Sequence, residues 1–263
     1  MDIFIILVMC IVFPFLVSLI IFWIYYVLVK KMRYKKKLSQ TKKDYTVSIF
    51  YKIFIAFPRQ LVLDGLNCDP NYFKPYGVHI VAGPQGCGKT MTVNYLCHKY
   101  KLDYPLCKIK SNCYLTYQDG EINSYLDVKN SNNGVYGEID VLDEIQNWFN
   151  SLDSRNFPPA MLSEVTQQRK QRKIILGTSQ VFTRVAKPIR ENTFLVYEPH
   201  TILGCLTIVL KYKPVLNEDG TCEKKKFRDM FFFVQTDELR NSYDTYRKIE
   251  RLDFKSKTEQ IGD

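Results

Sequence analysis

The stretch Val78-His79-Ile80-Val81-Ala82-Gly83-Pro84-Gln85-Gly86-Cys87-Gly88-Lys89-Thr90 decides how the rest of the chain is read. A short apolar run enters a glycine-rich turn, and Lys-Thr then opens a segment of helical periodicity. Gly83, Gly88, Lys89 and Thr90 satisfy the G-x-x-x-x-G-K-[ST] spacing of a phosphate-binding loop. Glycines there let the backbone turn successive N–H groups toward phosphate oxygens, and a side chain at Gly86 or Gly88 is expected to block that approach. The following helix adds its positive dipole end to the same anion site. Gly83, Pro84, Gln85, Gly86, Cys87, Gly88, Lys89 and Thr90 are therefore expected to cradle ATP. Lys89 is expected to reach the β- and γ-phosphates, and the Thr90 hydroxyl to ligate Mg²⁺.

The flanking pattern agrees. Val93, Leu96, Cys97 and Tyr100 recur at i, i+3, i+4 and i+7, which gives the next segment one apolar face for packing on a sheet. Residues 107–115 read as a second strand. Residues 118–134 are polar with turn chemistry and are expected at the surface. Residues 135–144 form an apolar-leaning strand ending in Asp143-Glu144, the form of a Walker B element. An Asp at the end of a strand beside the phosphate-loop strand can hold the Mg²⁺ shell, and the next carboxylate can activate the attacking water. Asp143 and Glu144 take those two roles, although Asp140 interrupts the apolar run.

Pro158-Pro159 opens a helix with Met161, Leu162 and Val165 expected inward, and its last turn is basic, as the helix dipole favours. Residues 174–180 are a further buried parallel strand whose C-terminal end, Thr178-Ser179-Gln180, carries polar groups where open α/β sheets bind ligands. Residues 194–197 read as the last core strand. Beyond them, residues 202–212 and 227–234 are longer strands joined by the turn signal Asn217-Glu218-Asp219-Gly220. A short helix is expected near residues 243–246, and residues 255–263 are expected to fray.

Ahead of this domain, residues 3–29 are uncharged and apolar, longer than the roughly 20 residues a bilayer-crossing helix needs. The basic n-region of a cleaved signal is missing, and Trp23, Tyr25 and Tyr26 suit a membrane–water interface. Eight basic residues and no acidic one then stand between positions 30 and 43. By the positive-inside rule the larger domain is cytoplasmic, and the basic run also touches anionic lipid. Without that run and Asp2, 29 basic residues face 26 acidic ones. The net charge of +10 is thus a local feature and weak evidence for nucleic-acid binding. Residues 45–57 are too short to span a bilayer and read as an interfacial helix or an edge strand. The eight cysteines form no C-x-x-C pair and the three histidines lie apart from them, which argues against a zinc site or a disulfide framework. His79 is expected to be a packed core histidine.

The succession Gly83 to Thr90, Lys110-Ser111-Asn112, Asp143-Glu144-Ile145-Gln146, Arg169, Thr178-Ser179-Gln180, Pro188-Ile189-Arg190-Glu191 and Tyr243-Asp244-Thr245 resembles the Zot-like (zonula occludens toxin-like) ATPases of filamentous bacteriophages, within the FtsK–HerA group of P-loop motors. The resemblance covers roughly residues 76–247. Two features depart from it: the membrane helix precedes the ATPase domain, and a family His-Arg-His is here Gln168-Arg169-Lys170.

The resemblance implies an α/β P-loop NTPase fold, a mostly parallel sheet flanked by helices with a C-terminal antiparallel β-hairpin extension. The expected division is a transmembrane anchor over 1–29, a basic linker over 30–75, the ATPase core over 76–200 and the extension over 201–263. It further implies a homo-oligomeric ring in the bacterial inner membrane that handles phage coat and assembly proteins and single-stranded phage DNA. Lys89, Glu144, Arg169 and Gln180 are the expected catalytic residues, with Thr90 and Asp143 on the metal. Arg169 is expected to act across a subunit interface, with Arg155, Arg184 and Arg190 as alternatives. A DNA-packaging or conjugative translocase is the second reading. A nucleotide-binding scaffold or toxin without turnover is the third, and the intact Lys89, Thr90, Asp143 and Glu144 argue against it.

Overall fold

The computed structural model describes residues 2–29, 48–217 and 222–243. The basic run 30–43, the tip of the 217–220 turn, residues 244–246 and the segment 255–263 lie outside the described residues. The chain divides into two compact units, Met1–Pro70 and Asn71–Asp263.

In the first unit α1 (Asp2–Ile24) carries Pro14 inside it and runs on as a π-helical turn, Tyr25–Val29. The segment Ile11–Leu28 is long and apolar enough to cross a membrane, and little of it is buried. Residues 45–57 prove helical from Ile49 onward, through α2 (Ile49–Tyr51) and a π turn (Lys52–Ala56) into α3 (Phe57–Leu66). Val62, Leu63 and Leu66 recur at helical spacing, and that stripe is what α3 lays against Tyr26, Phe22 and Leu19 of the first helix. Arg59 Nε donates to the Tyr26 hydroxyl at 2.7 Å, so the one charged head in the contact is satisfied.

In the second unit one eight-stranded sheet has the order β3-β2-β4-β5-β1-β6-β7-β8. Its strands are β1 (Gly77–Ala82), β2 (Lys108–Ser111), β3 (Gly120–Glu121), β4 (Glu138–Leu142), β5 (Lys173–Ser179), β6 (Thr193–Ile202), β7 (Leu206–Leu216) and β8 (Cys222–Val234). The first six are parallel; β7 and β8 add antiparallel to the β6 edge. Every residue of β1 is buried, as a central strand covered on both faces requires. Alternate residues feed two cores. Val81, Ile109, Ile139, Val141 and Leu176 pack with Val93, Leu96 and Cys97 of α4 (Lys89–Asp103). On the other face Ile80, Leu142 and Ile175 meet Met161 and Val165 of α6 (Pro159–Gln171), Val128 of α5 (Tyr125–Asn130) and Ile189 of α7 (Lys187–Glu191).

Several expectations need correction. Residues 118–134 are not merely surface: β3 and α5 lie within them, and Ile122 and Val128 are buried. Their few apolar residues are spaced too widely to show periodicity. Leu162, expected inward, faces outward, because the buried stripe of α6 runs through Met161, Glu164, Val165 and Gln168. The Walker-type strand is shorter than expected, with a 3₁₀ turn at Gly134–Tyr136. Gly137 follows that turn at φ +76°, and a Cβ there would stand 2.1 Å from the Phe73 ring.

Asp140 does not shift the β4 register. It is fully buried and paired with Lys173 at 3.3 Å, and the same ammonium lies 3.6 Å from Glu164 of α6. Lys173 also donates to the Ser131 hydroxyl at 2.9 Å, so this interior charge is held by several partners. His79 is a core histidine as expected, 3.2 Å from the Tyr197 hydroxyl, and burial lowers its pKa to about 4.

Candidate nucleotide site

Everything predicted for the phosphate loop arrives at the C-terminal edge of the sheet. β1 ends at Ala82 opposite Ser179 of β5, and the Gly83 N–H donates to the Ser179 carbonyl at 3.2 Å. Gly86 and Gly88 take φ values of +81° and +98°, the left-handed region that other residues enter only at a cost. Their glycines are required for different reasons. A Cβ on Gly86 would meet nothing within 4 Å, whereas one on Gly88 would stand 2.5 Å from Thr201 Oγ1. At Gly88 the crowding comes from the sheet behind the loop. Thr201 Oγ1 donates to the Cys87 carbonyl at 3.0 Å, and Gln235 Nε2 donates to Thr207 Oγ1 at 2.8 Å. The long strands β6 and β7 thus brace the loop from behind.

Lys89 opens α4 and folds back over the turn, its ammonium donating to the Gly83 and Pro84 carbonyls at 3.0 Å each. Asp143 stands one residue beyond β4, but β4 is not beside β1, as had been expected. β5 lies between them and supplies the connection. Thr178 of β5 donates from Oγ1 to Asp143 Oδ1 at 2.5 Å and accepts the Glu144 N–H at 2.8 Å. From the other side Asn112, just past β2, accepts the Asp143 N–H at 2.7 Å and donates to its carbonyl at 3.1 Å. The Tyr243 hydroxyl donates to Asp143 Oδ2 at 3.4 Å. Burial raises the Asp143 pKa, and the hydrogen bonds from Thr178 and Tyr243 and the Lys89 charge pull against it.

Glu144 has φ +49°, and its carboxylate accepts from Gln146 Nε2. A non-glycine residue held there stores roughly 1–3 kcal/mol of strain, a cost commonly found at functional positions. Gln180 is the first residue beyond β5 and is exposed. The residues present fit a nucleotide with its cation: a loop open in front of Gly86, an ammonium held only by exchangeable carbonyls, and a hydroxyl and carboxylate suited to a hard ion.

A family model for the AAA group, ATPases associated with various cellular activities, matches residues 79–197. The core domain is that of a P-loop ATPase. No curated protein matches the chain significantly. Among solved structures it is similar to the N-terminal domain of zonular occludens toxin from Neisseria meningitidis, at 15% identity over 64% of this chain and 98% of that one, TM-score 0.49. It is also similar to the genome packaging NTPase B204 of Sulfolobus turreted icosahedral virus 2 in complex with AMPPCP, at 11% identity over 48% and 75% of the two chains, TM-score 0.39. The flagellar accessory protein FlaH of Methanocaldococcus jannaschii follows at 15% identity, 62% and 88% coverage and TM-score 0.36. At such identities and TM-scores these likenesses assign no substrate and no partner.

The arginines of this ATPase core divide between the two edges of the sheet. Arg169, in the last turn of α6, lies 5.7 Å from the Tyr76 ring and lines a groove with Gly77 and Thr193, the first residues of β1 and β6. That is the N-terminal edge, one strand length, roughly 20 Å, from the loop. Arg190 lines the same end of the fold, at the close of α7. Arg155 and Arg184 are exposed on the 3₁₀ segments Ser151–Asn156 and Phe182–Arg184, which follow β4 and β5 on the phosphate-loop edge.

The supporting residues Asn112, Thr178, Thr201, Thr207, Gln235 and Tyr243 had no predicted role. For Asn112 and Thr178 there was a signal, a polar residue closing an apolar strand. Tyr243 stood in the motif succession without a role of its own; for Thr201, Thr207 and Gln235 there was no signal, since their partners lie far along the chain.

Proposed function

We propose that this chain is a membrane-anchored ATPase motor that hydrolyses ATP to drive filamentous phage assembly and the export of phage DNA through the bacterial inner membrane. The observation that carries it is the meeting of Lys89, Thr90, Asp143 and Glu144 at one edge of the sheet, in a chain that also has an apolar helix of bilayer length. The ordered set of motifs shared with Zot-like ATPases supports the phage assignment. In this reading α1 is the anchor, its N-terminus outside, with the basic run 30–43 against cytoplasmic lipid.

The chemistry follows from the side chains. The loop N–H groups and the α4 dipole bind the phosphates, and Lys89 exchanges its two carbonyl partners for phosphate oxygens. Thr90 and Asp143 are the residues that would hold Mg²⁺, which when bound offsets charge on the β- and γ-phosphate oxygens. Glu144 takes the proton of the attacking water, and Gln180 orients that water from the neighbouring strand end. Arg169 can approach a γ-phosphate only from a second copy, so its proposed role requires a ring.

A cell carrying the phage genome with Lys89→Ala in this chain should replicate phage DNA yet release no virions. Virion release at the normal level sinks the assignment. If conjugative transfer is lost instead, the translocase reading takes its place.

A further inference from the structure

The last described stretch of the chain ends inside the nucleotide site. After β8 the chain turns at Thr236, whose Oγ1 accepts the Leu239 N–H at 3.3 Å, and forms the short α8 (Asp237–Asn241). It is then pinned along α4. Asn94 Nδ2 donates to the Leu239 carbonyl and to Ser242 Oγ, both at 2.7 Å, and the Thr116 N–H donates to the Ser242 carbonyl at 3.1 Å. Asn94 stands one helical turn beyond Thr90. Tyr243 bridges antiparallel to Leu115 and so enters the site from the α4 side.

Its hydroxyl donates to Asp143 Oδ2 at 3.4 Å. The hydroxyl thus holds the carboxylate assigned to the cation, and it arrives on a tether fixed by other contacts. Resting on the nucleotide-site reading above, we infer that Tyr243 is a placeholder. Its hydroxyl holds Asp143 Oδ2, and a cation taking that oxygen must displace it. A contact that a ligand must break opposes that ligand's binding by its own free energy. The C-terminal strap, and the β7–β8 ribbon that leads into it, are in this way coupled to cation binding.

The test uses the full chain in detergent micelles, with a fluorescent ATP analogue titrated without divalent cation and then, at fixed analogue, against Mg²⁺. In Tyr243→Phe the ring packing stays and the hydrogen bond to Asp143 goes. The half-saturating Mg²⁺ concentration should fall about three- to tenfold, the effect of losing one long hydrogen bond, while metal-free affinity stays level. An unchanged or higher Mg²⁺ requirement overturns the inference. So does a parallel loss of metal-free affinity and thermal stability, which marks a purely structural residue. Ser242→Ala, which loosens the strap but keeps the phenol, should shift the Mg²⁺ requirement in the same direction, and it decides the matter if Tyr243→Phe fails to fold. A wild-type chain that binds no analogue with or without Mg²⁺ would instead bring down the nucleotide-site reading, and this inference with it.

Discussion

At the scale of single residues, the site separates binding from turnover. The Lys89 ammonium donates to two loop carbonyls, so Lys89→Ala removes a phosphate-binding charge while keeping the loop's own glycines. ATP affinity should drop about ten- to a hundredfold, the range of a charge-assisted hydrogen bond, as read by equilibrium binding. Glu144→Gln should keep affinity and lower kcat by about 10²–10⁴, the usual share of a general base. Turnover unchanged in that variant removes Glu144 from the base role. Gly137→Ala tests the fold instead. With φ +76° and a Cβ 2.1 Å from the Phe73 ring, the substitution has neither backbone nor space. The loss should exceed about 1–3 kcal/mol of unfolding free energy in a urea titration, the usual cost of overpacking alone. Among these positions the loop was legible in the sequence because its glycines and lysine sit at fixed spacing. Tyr243 was not, because its partner Asp143 lies 100 residues away.

Secondary elements were legible where burial imposes a period. The unbroken apolar stretch of β1 and the stripe of α4 are of that kind, and both appear where expected. Failure came where polar residues are buried in pairs: Asp140 raised a doubt about β4 that only Lys173, 33 positions on, resolves. That pair carries a pH dependence. Burial drives the Asp140 carboxyl from 3.8 up to about 7, with Lys173 opposing and Glu138 reinforcing the rise, and with Lys110 and Glu164 also facing the cluster. Between those values the folded chain keeps a proton that the unfolded chain has released, so this group's contribution to stability falls as pH rises from about 4 to about 7. Asp140→Asn cannot lose that proton. The stability of the variant relative to wild type should therefore improve with pH across the window, in urea midpoints taken at several pH values. A flat difference would mean that the buried carboxyl is ionised throughout.

For the whole molecule, the first compact unit runs to Pro70, so α3, which falls within the 30–75 segment expected as a linker, packs on the first helix instead. A reporter fused after Asp263 should be cytoplasmic, and external protease should leave the ATPase domain uncut; digestion from outside reverses the proposed topology. The position of Arg169, a strand length from the loop, allows a sharper test of the ring. Neither Arg169→Ala nor Glu144→Gln protein should turn over ATP alone. A mixture should recover part of the activity, because some junctions then join an intact base to an intact arginine. A mixture that assembles and stays inactive, or Arg169→Ala protein that hydrolyses normally, dismisses the trans role and directs attention to Arg155 and Arg184 on the loop's own edge.

Two adjacent residues of β5 hold the two halves of the site: Ser179 takes the Gly83 N–H, and Thr178 takes Asp143 and Glu144. The strand is in effect a ruler, with the spacing between phosphate cradle and carboxylate marked off by a single rise of about 3.3 Å. Rulers tolerate changes of material but not of length. Conservative apolar exchanges at Ile174 or Leu176 leave both marks in place. One residue inserted between Thr178 and Ser179 adds a further rise between the two marks, and the halves lose their common scale while each remains chemically whole.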